Sequence, residues 1–114
     1  MQLAAILFAV AAVGGLTLAG IRLSGTPRPP TWMALGHGAV AAAALGSLIY
    51  AAATQTLPTL ALASLGGFVL AAAGGAVIFL GFHLRGKPLP IPLVLGHGAL
   101  AVISFLLLLA AILQ

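Results

Sequence analysis

The sequence predicts an all-α integral membrane protein with four transmembrane helices, arranged as two tandem helical hairpins. Of its 114 residues, 63% are hydrophobic and only four are charged, all of them Lys or Arg. A soluble domain has about a quarter of its residues charged. The apolar residues form four long runs, each near the roughly 20 residues that cross a bilayer core. The segment Leu-Gly-His-Gly-Ala occurs twice, at 35–39 and at 95–99.

The two copies of this segment belong to a longer internal repeat. Residues 20–29 match residues 81–90 at an offset of 61, whereas the two histidine segments are 60 apart, a difference that one deletion in the loop accounts for. We therefore divide a single domain, 1–114, into repeat 1 (1–53) and repeat 2 (57–114). Each repeat contains two spans, an even number, so both enter the membrane in the same orientation and the repeat is parallel.

Helices 1 and 2 are predicted on either side of a proline-rich loop. Helix 1 runs from Met1 to Ile21, and it lacks the basic first segment of a cleavable signal peptide. The prolines of loop 22–31 end it, because proline lacks the N–H donor and disfavours helix at the residue before it. Helix 2 is predicted from Trp32 to Ala53, with Thr31 as its N-cap.

A short uncharged reversal, residues 54–56, precedes the second half. Helix 3 is predicted from Leu57 to Leu84, with Thr56 as its N-cap and Pro58 in its first turn. It contains five glycines, and His83 lies near its end.

Positive charge marks the two proline-rich loops. Loop 85–91 follows helix 3, and helix 4 is predicted from Pro92 to Leu113 with the proline in its first turn. All four basic residues lie in loops 22–31 and 85–91, which the positive-inside tendency places in the cytoplasm, with both termini outside. A bacterial inner membrane is the expected location.

Small residues are predicted to pack the helices together. Glycine and alanine let backbones approach in lipid, where hydrophobic attraction between helices is weak. Two candidate stripes are Gly67-xxx-Ala71-xxx-Gly75 on helix 3 and Gly38-xxx-Ala42-xxx-Gly46 on helix 2. The hydroxyls of Thr17, Ser47, Ser64 and Ser104 are expected to bond carbonyls of the preceding turn.

Each Gly-His-Gly segment places an imidazole inside a span. His37 and His97 lie about five residues into helices 2 and 4, and in an up-down bundle these helices face each other across the core. An ionisable side chain within the membrane is expected to be functional and to have a partner. The neighbouring glycines Gly36, Gly38, Gly96 and Gly98 leave the side-chain volume that a flat, bulky group would need.

This arrangement suits one haem b with His37 and His97 as iron ligands. Its propionates would reach the basic residues of the loops, namely Arg22, Arg28, Arg85 and Lys87. The arrangement resembles that of membrane b-type cytochromes, in which histidines on facing helices of a bundle hold haem. Two-haem cytochromes carry two histidines on each ligand helix, whereas this chain has one, which implies at most one haem per chain.

Two other interpretations of the histidines stay open. In the first, each histidine is structural and donates to a carbonyl of a neighbouring helix at a close crossing. In the second, a transition metal is bound by His37, His97 and His83. His83 corresponds to Arg22 in the repeat, which favours a polar role at the membrane edge.

The composition excludes several functions. The absence of Asp, Glu and Cys leaves no general acid–base pair or thiol nucleophile, so the chain is not expected to be an enzyme on its own. Its basic residues form no dense face for nucleic acid. Two classes remain: an electron-transfer subunit of a respiratory-type membrane complex, exchanging electrons with a quinol or a partner, and a cofactor-free structural or assembly subunit. Both imply a lipid bilayer and other membrane subunits or self-association.

Overall fold

Four long apolar helices joined by three short connections make up the protein, as seen in a computed structural model that describes residues 1–114. The helices are α1 (Gln2–Leu23), α2 (Thr31–Thr54), α3 (Thr59–Ile78) and α4 (Ile91–Ile112), and α3 continues into a π-helical turn at Phe79–His83. By length and composition, each of the four is able to cross a membrane. The prediction of four long apolar helices is therefore confirmed.

The two threonine caps predicted from the sequence are wrong. The N-cap of α2 is Pro30 and that of α3 is Pro58, and neither helix has a side-chain cap. In each case the proline carbonyl accepts the first helical hydrogen bonds, so the helix begins one residue after the proline. Thr31 is instead the first residue of α2, and Thr56 lies in the preceding connection. Proline in the first turn of α4 is confirmed.

The helices run up and down along a bundle of about 43 × 19 × 19 Å. We call the end that contains Met1, Gln114 and residues 55–58 the termini end, and the end that contains residues 24–30 and 84–90 the Pro-rich end. The most extensive packing is between α3 and α4 and between α1 and α2, with less between α1 and α4 and between α2 and α3. The bundle length is close to the total thickness of a bilayer.

The buried core occupies the half of the bundle next to the termini end. There the rings of Phe8 and Phe68 stack with centroids 3.5 Å apart and planes 3° apart. The other buried residues in this half of the four helices are Ala4, Ala5, Ala11, Ala44, Leu48, Ala51, Ala61, Ser64, Ala71, Ser104, Leu108 and Ala111. Toward the Pro-rich end, His83 in the π turn is the next helical residue that is buried. The helices are therefore sealed together in one half and less tightly in the other.

Three of the four predicted hydroxyl contacts are confirmed. Thr17, Ser47 and Ser104 donate to carbonyls three or four residues earlier. Ser64 differs, because its hydroxyl donates across to the Ser104 carbonyl on α4 at 2.8 Å. A Cβ at Gly67 would collide with the Ser104 hydroxyl, so α3 and α4 approach too closely here for a larger side chain. This close approach brings the Ser64 hydroxyl within reach of α4.

The π turn of α3 accommodates one extra residue. The Leu84 N–H donates to the Phe79 carbonyl at 2.9 Å, a span of five residues rather than the four of an α-helix. The offset between matching glycines is 60 at residues 14–15 and 74–75 and becomes 61 at residues 20 and 81. The extra residue thus falls in α3 before the loop, and the later loop deletion returns the offset to 60.

The two Pro-rich loops hold each other by hydrogen bonds. The Leu89 N–H donates to the Pro27 carbonyl at 3.0 Å, and Arg22 Nε donates to the Leu89 carbonyl at 2.8 Å. Arg28 Nη1 lies 3.4 Å from the His83 carbonyl. These contacts join loops that are far apart in sequence, and they close the Pro-rich end of the bundle.

Candidate functional site

His37 and His97 meet between α2 and α4. Their ring centroids are 6.2 Å apart and their planes are perpendicular, at 88°. Both residues are half-buried, and they lie on the Pro-rich side of the buried core. The structure thus brings together the two histidines that the sequence singled out.

A backbone carbonyl orients each imidazole. His37 Nδ1 lies 2.8 Å from the Ala11 carbonyl on α1, and His97 Nδ1 lies 2.7 Å from the Ala71 carbonyl on α3. A carbonyl oxygen accepts only, so each Nδ1 carries a proton, and in a neutral ring Nε2 is left with its lone pair. Histidines that bind metals are oriented in this way, with the other ring nitrogen donating to a carbonyl or carboxylate.

Neither Nε2 atom is used inside the chain. The only hydrogen bonds of His37 and His97 are those made by Nδ1. No buried side-chain nitrogen or oxygen lacks a partner, so these two Nε2 atoms remain accessible rather than sealed in the core. The pair therefore offers two neutral nitrogen acceptors that the protein itself does not occupy.

Glycines on the neighbouring helices make room for the imidazoles. A Cβ at Gly15 of α1 would lie 3.0 Å from His37 Cε1, and one at Gly75 of α3 would lie 3.1 Å from His97 Cε1. Gly14 and Gly74 lie against the same two rings. Gly75 belongs to a stripe that was predicted to pack closely, but the contact of these four glycines with the imidazoles was not predicted. A repeated pattern, Phe-x-x-Ala-Ala-x-Gly-Gly at 8–15 and 68–75, was the available signal.

The four glycines next to the histidines have a different environment. A Cβ at Gly36, Gly38, Gly96 or Gly98 would meet nothing within 4 Å. These residues therefore border open space and do not contact the imidazoles across a helix interface. That they leave volume for a flat group stays a prediction.

His83 is separate from this pair. It is buried in the π turn, where its Nε2 lies 3.0 Å from Thr31 Oγ1 and its ring stacks on Phe79 at 5.3 Å. No three potential ligands among His, Cys, Asp and Glu come together. The three-histidine metal site is therefore wrong, because the π turn directs His83 to the Pro-rich end.

The four basic residues fall into two groups. Arg22 donates to the Leu89 carbonyl in the second Pro-rich loop, and Arg28 donates to the His83 carbonyl in the π turn. Arg85 and Lys87 are exposed, and their side chains make no hydrogen bond within the chain. A propionate contact with any of the four stays a prediction.

The only ligands that the histidine pair could offer a metal ion are imidazole nitrogens, because the sequence has no carboxylate side chain or thiol. Imidazole nitrogen suits iron, copper, zinc and nickel, whereas magnesium and calcium prefer oxygen. In comparisons with known proteins, no family model, no curated protein and no solved structure matches the chain.

Proposed function

We propose that His37 and His97 would hold one haem b, and that the chain is an electron-transfer subunit of a larger membrane complex. The observation that carries this proposal is the pair of Nδ1–carbonyl hydrogen bonds, which leave the Nε2 lone pair unused on each of two rings whose centroids are 6.2 Å apart. When bound, a haem would supply a one-electron carrier. The imidazoles of His37 and His97 would hold it, each oriented by its carbonyl contact.

The separation of the rings is compatible with the proposal. Imidazole nitrogens bind metals at about 2.0 Å, so two rings that share one ion have centroids no more than roughly 6 Å apart. The observed separation is 6.2 Å. Perpendicular ring planes are compatible with this, because binding through one ring nitrogen does not require the two ring planes to be parallel.

The distribution of buried residues also supports a bound group. The core is complete on the termini side of the histidines and sparse on their Pro-rich side. Gly36 and Gly96, next to the pair, are exposed. A haem held by the pair would lie where few helical side chains are buried, and the exposed Arg85 and Lys87 at the Pro-rich end would be available to its propionates.

The proposed arrangement includes two parallel hairpins, with the Pro-rich end in the cytoplasm. The two His–carbonyl bonds support it, since they join α1 to α2 and α3 to α4 with the same sequence separation of 26 residues. All positive charge lies at the Pro-rich end. The redox partner would be a quinol or a cofactor of a neighbouring subunit.

A cofactor-free packing subunit is the second candidate. The same Nδ1–carbonyl bonds favour it, because each already fastens a histidine of one helix to the backbone of the next. In this case Nε2 has no role, and the open space beside the glycines would be filled by lipid or by a neighbouring subunit. The two candidates differ in whether the chain carries haem.

A visible spectrum tests the proposal. The chain would be expressed with haem supplied and purified in mild detergent, and a reduced-minus-oxidised spectrum recorded. We expect sharp α and Soret bands at one haem per chain. His37→Ala and His97→Ala should each lose the haem while still inserting into the membrane, because each removes one axial ligand.

His83→Ala is the matched control, since it removes the third histidine of the chain from outside the pair. It should keep its haem, provided that circular dichroism shows the helices intact. A flat wild-type spectrum, or unchanged haem content in both ligand variants, would contradict the proposal. The flat spectrum would favour the packing subunit.

A further inference from the structure

An open cleft of about 290 Å³ lies at the Pro-rich end, between the loop that precedes α2 and the π turn of α3. It is lined by Pro27, Arg28, Pro29, Pro30, Thr31 and His83. Neither histidine of the haem site contributes to it. Its lining is one cation, two other polar side chains and three prolines, which distinguishes it from the apolar surface of the spans.

Arg28 lacks a counter-charge within the protein. One of its terminal nitrogens donates to the His83 carbonyl at 3.4 Å, and the guanidinium has further N–H donors that the chain does not use. The sequence contains no Asp or Glu. Any anion that neutralises Arg28 must therefore come from outside the chain, and the cleft is where this side chain is open to one.

His83 and Thr31 form the other polar wall of the cleft. His83 is only 4% exposed, and its Nε2 lies 3.0 Å from Thr31 Oγ1. Its Nδ1 makes no hydrogen bond within the chain, and no buried polar side-chain atom lacks a partner, so Nδ1 is accessible. Because no other contact assigns that atom a role, an acceptor or donor supplied by a ligand would complete its bonding.

The start of α2 adds donors at the same place. The helix has no side-chain cap, so the N–H groups of Thr31 and Trp32 are unpaired, and the positive end of the helix dipole lies beside the cleft. Trp32, the next residue after Thr31, is 74% exposed. Exposed tryptophan is typical of the level at which lipid headgroups lie. The cleft is thus placed at headgroup depth if the helices span a bilayer.

We propose that this cleft binds a phosphate group, presented by the headgroup of an anionic phospholipid or by free phosphate. An arginine fork, an uncapped helix start and a buried histidine match the charge and the hydrogen-bonding capacity of phosphate oxygens. Basic pockets beside spans are known to hold anionic headgroups. This site is independent of haem binding.

Trp32 provides the measurement, because it is the only tryptophan and it adjoins the cleft. The purified full chain, in uncharged detergent micelles, would be titrated with phosphatidylglycerol or phosphatidylcholine carrying brominated acyl chains. Bromine quenches the fluorescence of a nearby indole. We expect phosphatidylglycerol to bind about fivefold more tightly than phosphatidylcholine, the effect of one basic residue near an anionic lipid.

Two variants separate the cleft from general surface charge. Arg28→Gln should lose the preference for phosphatidylglycerol. Arg85→Gln removes the same charge from the same end of the bundle but outside the cleft, and it should keep the preference. An equal loss in both variants would overturn the proposal, because it would show diffuse attraction. So would a wild type with no preference for phosphatidylglycerol and no response to inorganic phosphate.

Removing the Arg28 side chain also removes its hydrogen bond to the His83 carbonyl. A second pair of variants therefore tests the cleft while leaving Arg28 in place. Thr31→Glu places a carboxylate inside the cleft, where it should abolish the preference, whereas Thr26→Glu adds the same charge to the loop outside the cleft. Retained preference in Thr31→Glu would overturn the proposal. Circular dichroism and gel filtration would show that both variants are folded.

Inorganic phosphate distinguishes the two sources of the ligand. If it displaces phosphatidylglycerol from the wild type but has no effect on Arg28→Gln, the cleft recognises the phosphate group by itself. If phosphatidylglycerol stays preferred and inorganic phosphate does not displace it, the lipid is the ligand. Either result supports the phosphate site.

Discussion

Gly15 and Gly75 determine how closely the helices approach the histidines. A methyl group at either position would lie 3.0 or 3.1 Å from an imidazole carbon. Each ring is held by its Nδ1–carbonyl bond, so it cannot move aside without lengthening that bond. The structural role of these glycines is therefore tied to the orientation of the imidazoles.

Gly15→Ala tests this at the residue scale, with Gly20→Ala on the same helix as control. Both changes gain helix propensity, but a Cβ at Gly20 meets nothing within 4 Å. We expect Gly15→Ala to be less stable than Gly20→Ala by about 1 to 3 kcal/mol, the usual cost of overpacking. Thermal unfolding in detergent measures the difference, and equal transitions would show that the ring adapts freely.

At the scale of the element, the π turn of α3 determines where His83 lies relative to the histidine pair. The turn contains one extra residue. It lies after Gly74 and Gly75, which contact His97, and it ends at His83 near the Pro-rich end. Single-turn π segments interrupt α-helices in this way and are found at functional sites. Here the extra residue changes the direction of the last turn without changing the packing of the earlier turns.

Deleting Leu80 should therefore be tolerated. The π turn would become regular α-helix, and the residues on both sides of the deletion would still point toward the same neighbouring helices. Deleting Leu70 is the matched control: it is similarly exposed, at 64% against 60% for Leu80, but it lies in regular helix. Its loss would rotate everything on one side of the deletion by about 100°, one residue of a helix with 3.6 per turn. We expect a cooperative thermal transition for the Leu80 deletion and none for the Leu70 deletion. The reverse order would contradict this account of the π turn.

At the scale of the whole molecule, charge and packing divide the bundle into two unlike ends. All four basic residues lie at the Pro-rich end, while the termini end has uncharged connections and holds the buried core. The buried core lies beside the termini, and hydrogen bonds join the loops at the other end. His37 and His97 lie between these two regions. Both the haem proposal and the phosphate proposal depend on this division.

Reporter fusions test the orientation proposed for these ends. A reporter after Gln114 should read as non-cytoplasmic, and a truncated fusion after Lys87 should read as cytoplasmic, because positively charged short loops stay in the cytoplasm. The two fusions control each other for expression. A cytoplasmic signal after Gln114 would reverse the orientation and move the phosphate cleft to the outer leaflet.

The sequence by itself determined the all-α class, the four long apolar helices, the charged end and the pair of histidines. These follow from composition, from the lengths of the apolar runs and from an exact five-residue repeat, all of which are local properties of the chain. It also showed the prolines that start the helices, although it assigned the neighbouring threonines the wrong role as caps. Proline at the cap position has no side-chain acceptor, so the helix starts on the backbone alone.

Only the tertiary structure decided what each polar group contacts. The carbonyls of Ala11 and Ala71, which orient the histidines, look in sequence like any other helical alanine, because every helical residue carries the same carbonyl. That Gly15 and Gly75 face the rings, that Ser64 crosses to α4 and that His83 leaves the histidine pair all depend on which helix lies beside which and on the rotation of each. Those are set by packing between elements, which no local pattern specifies.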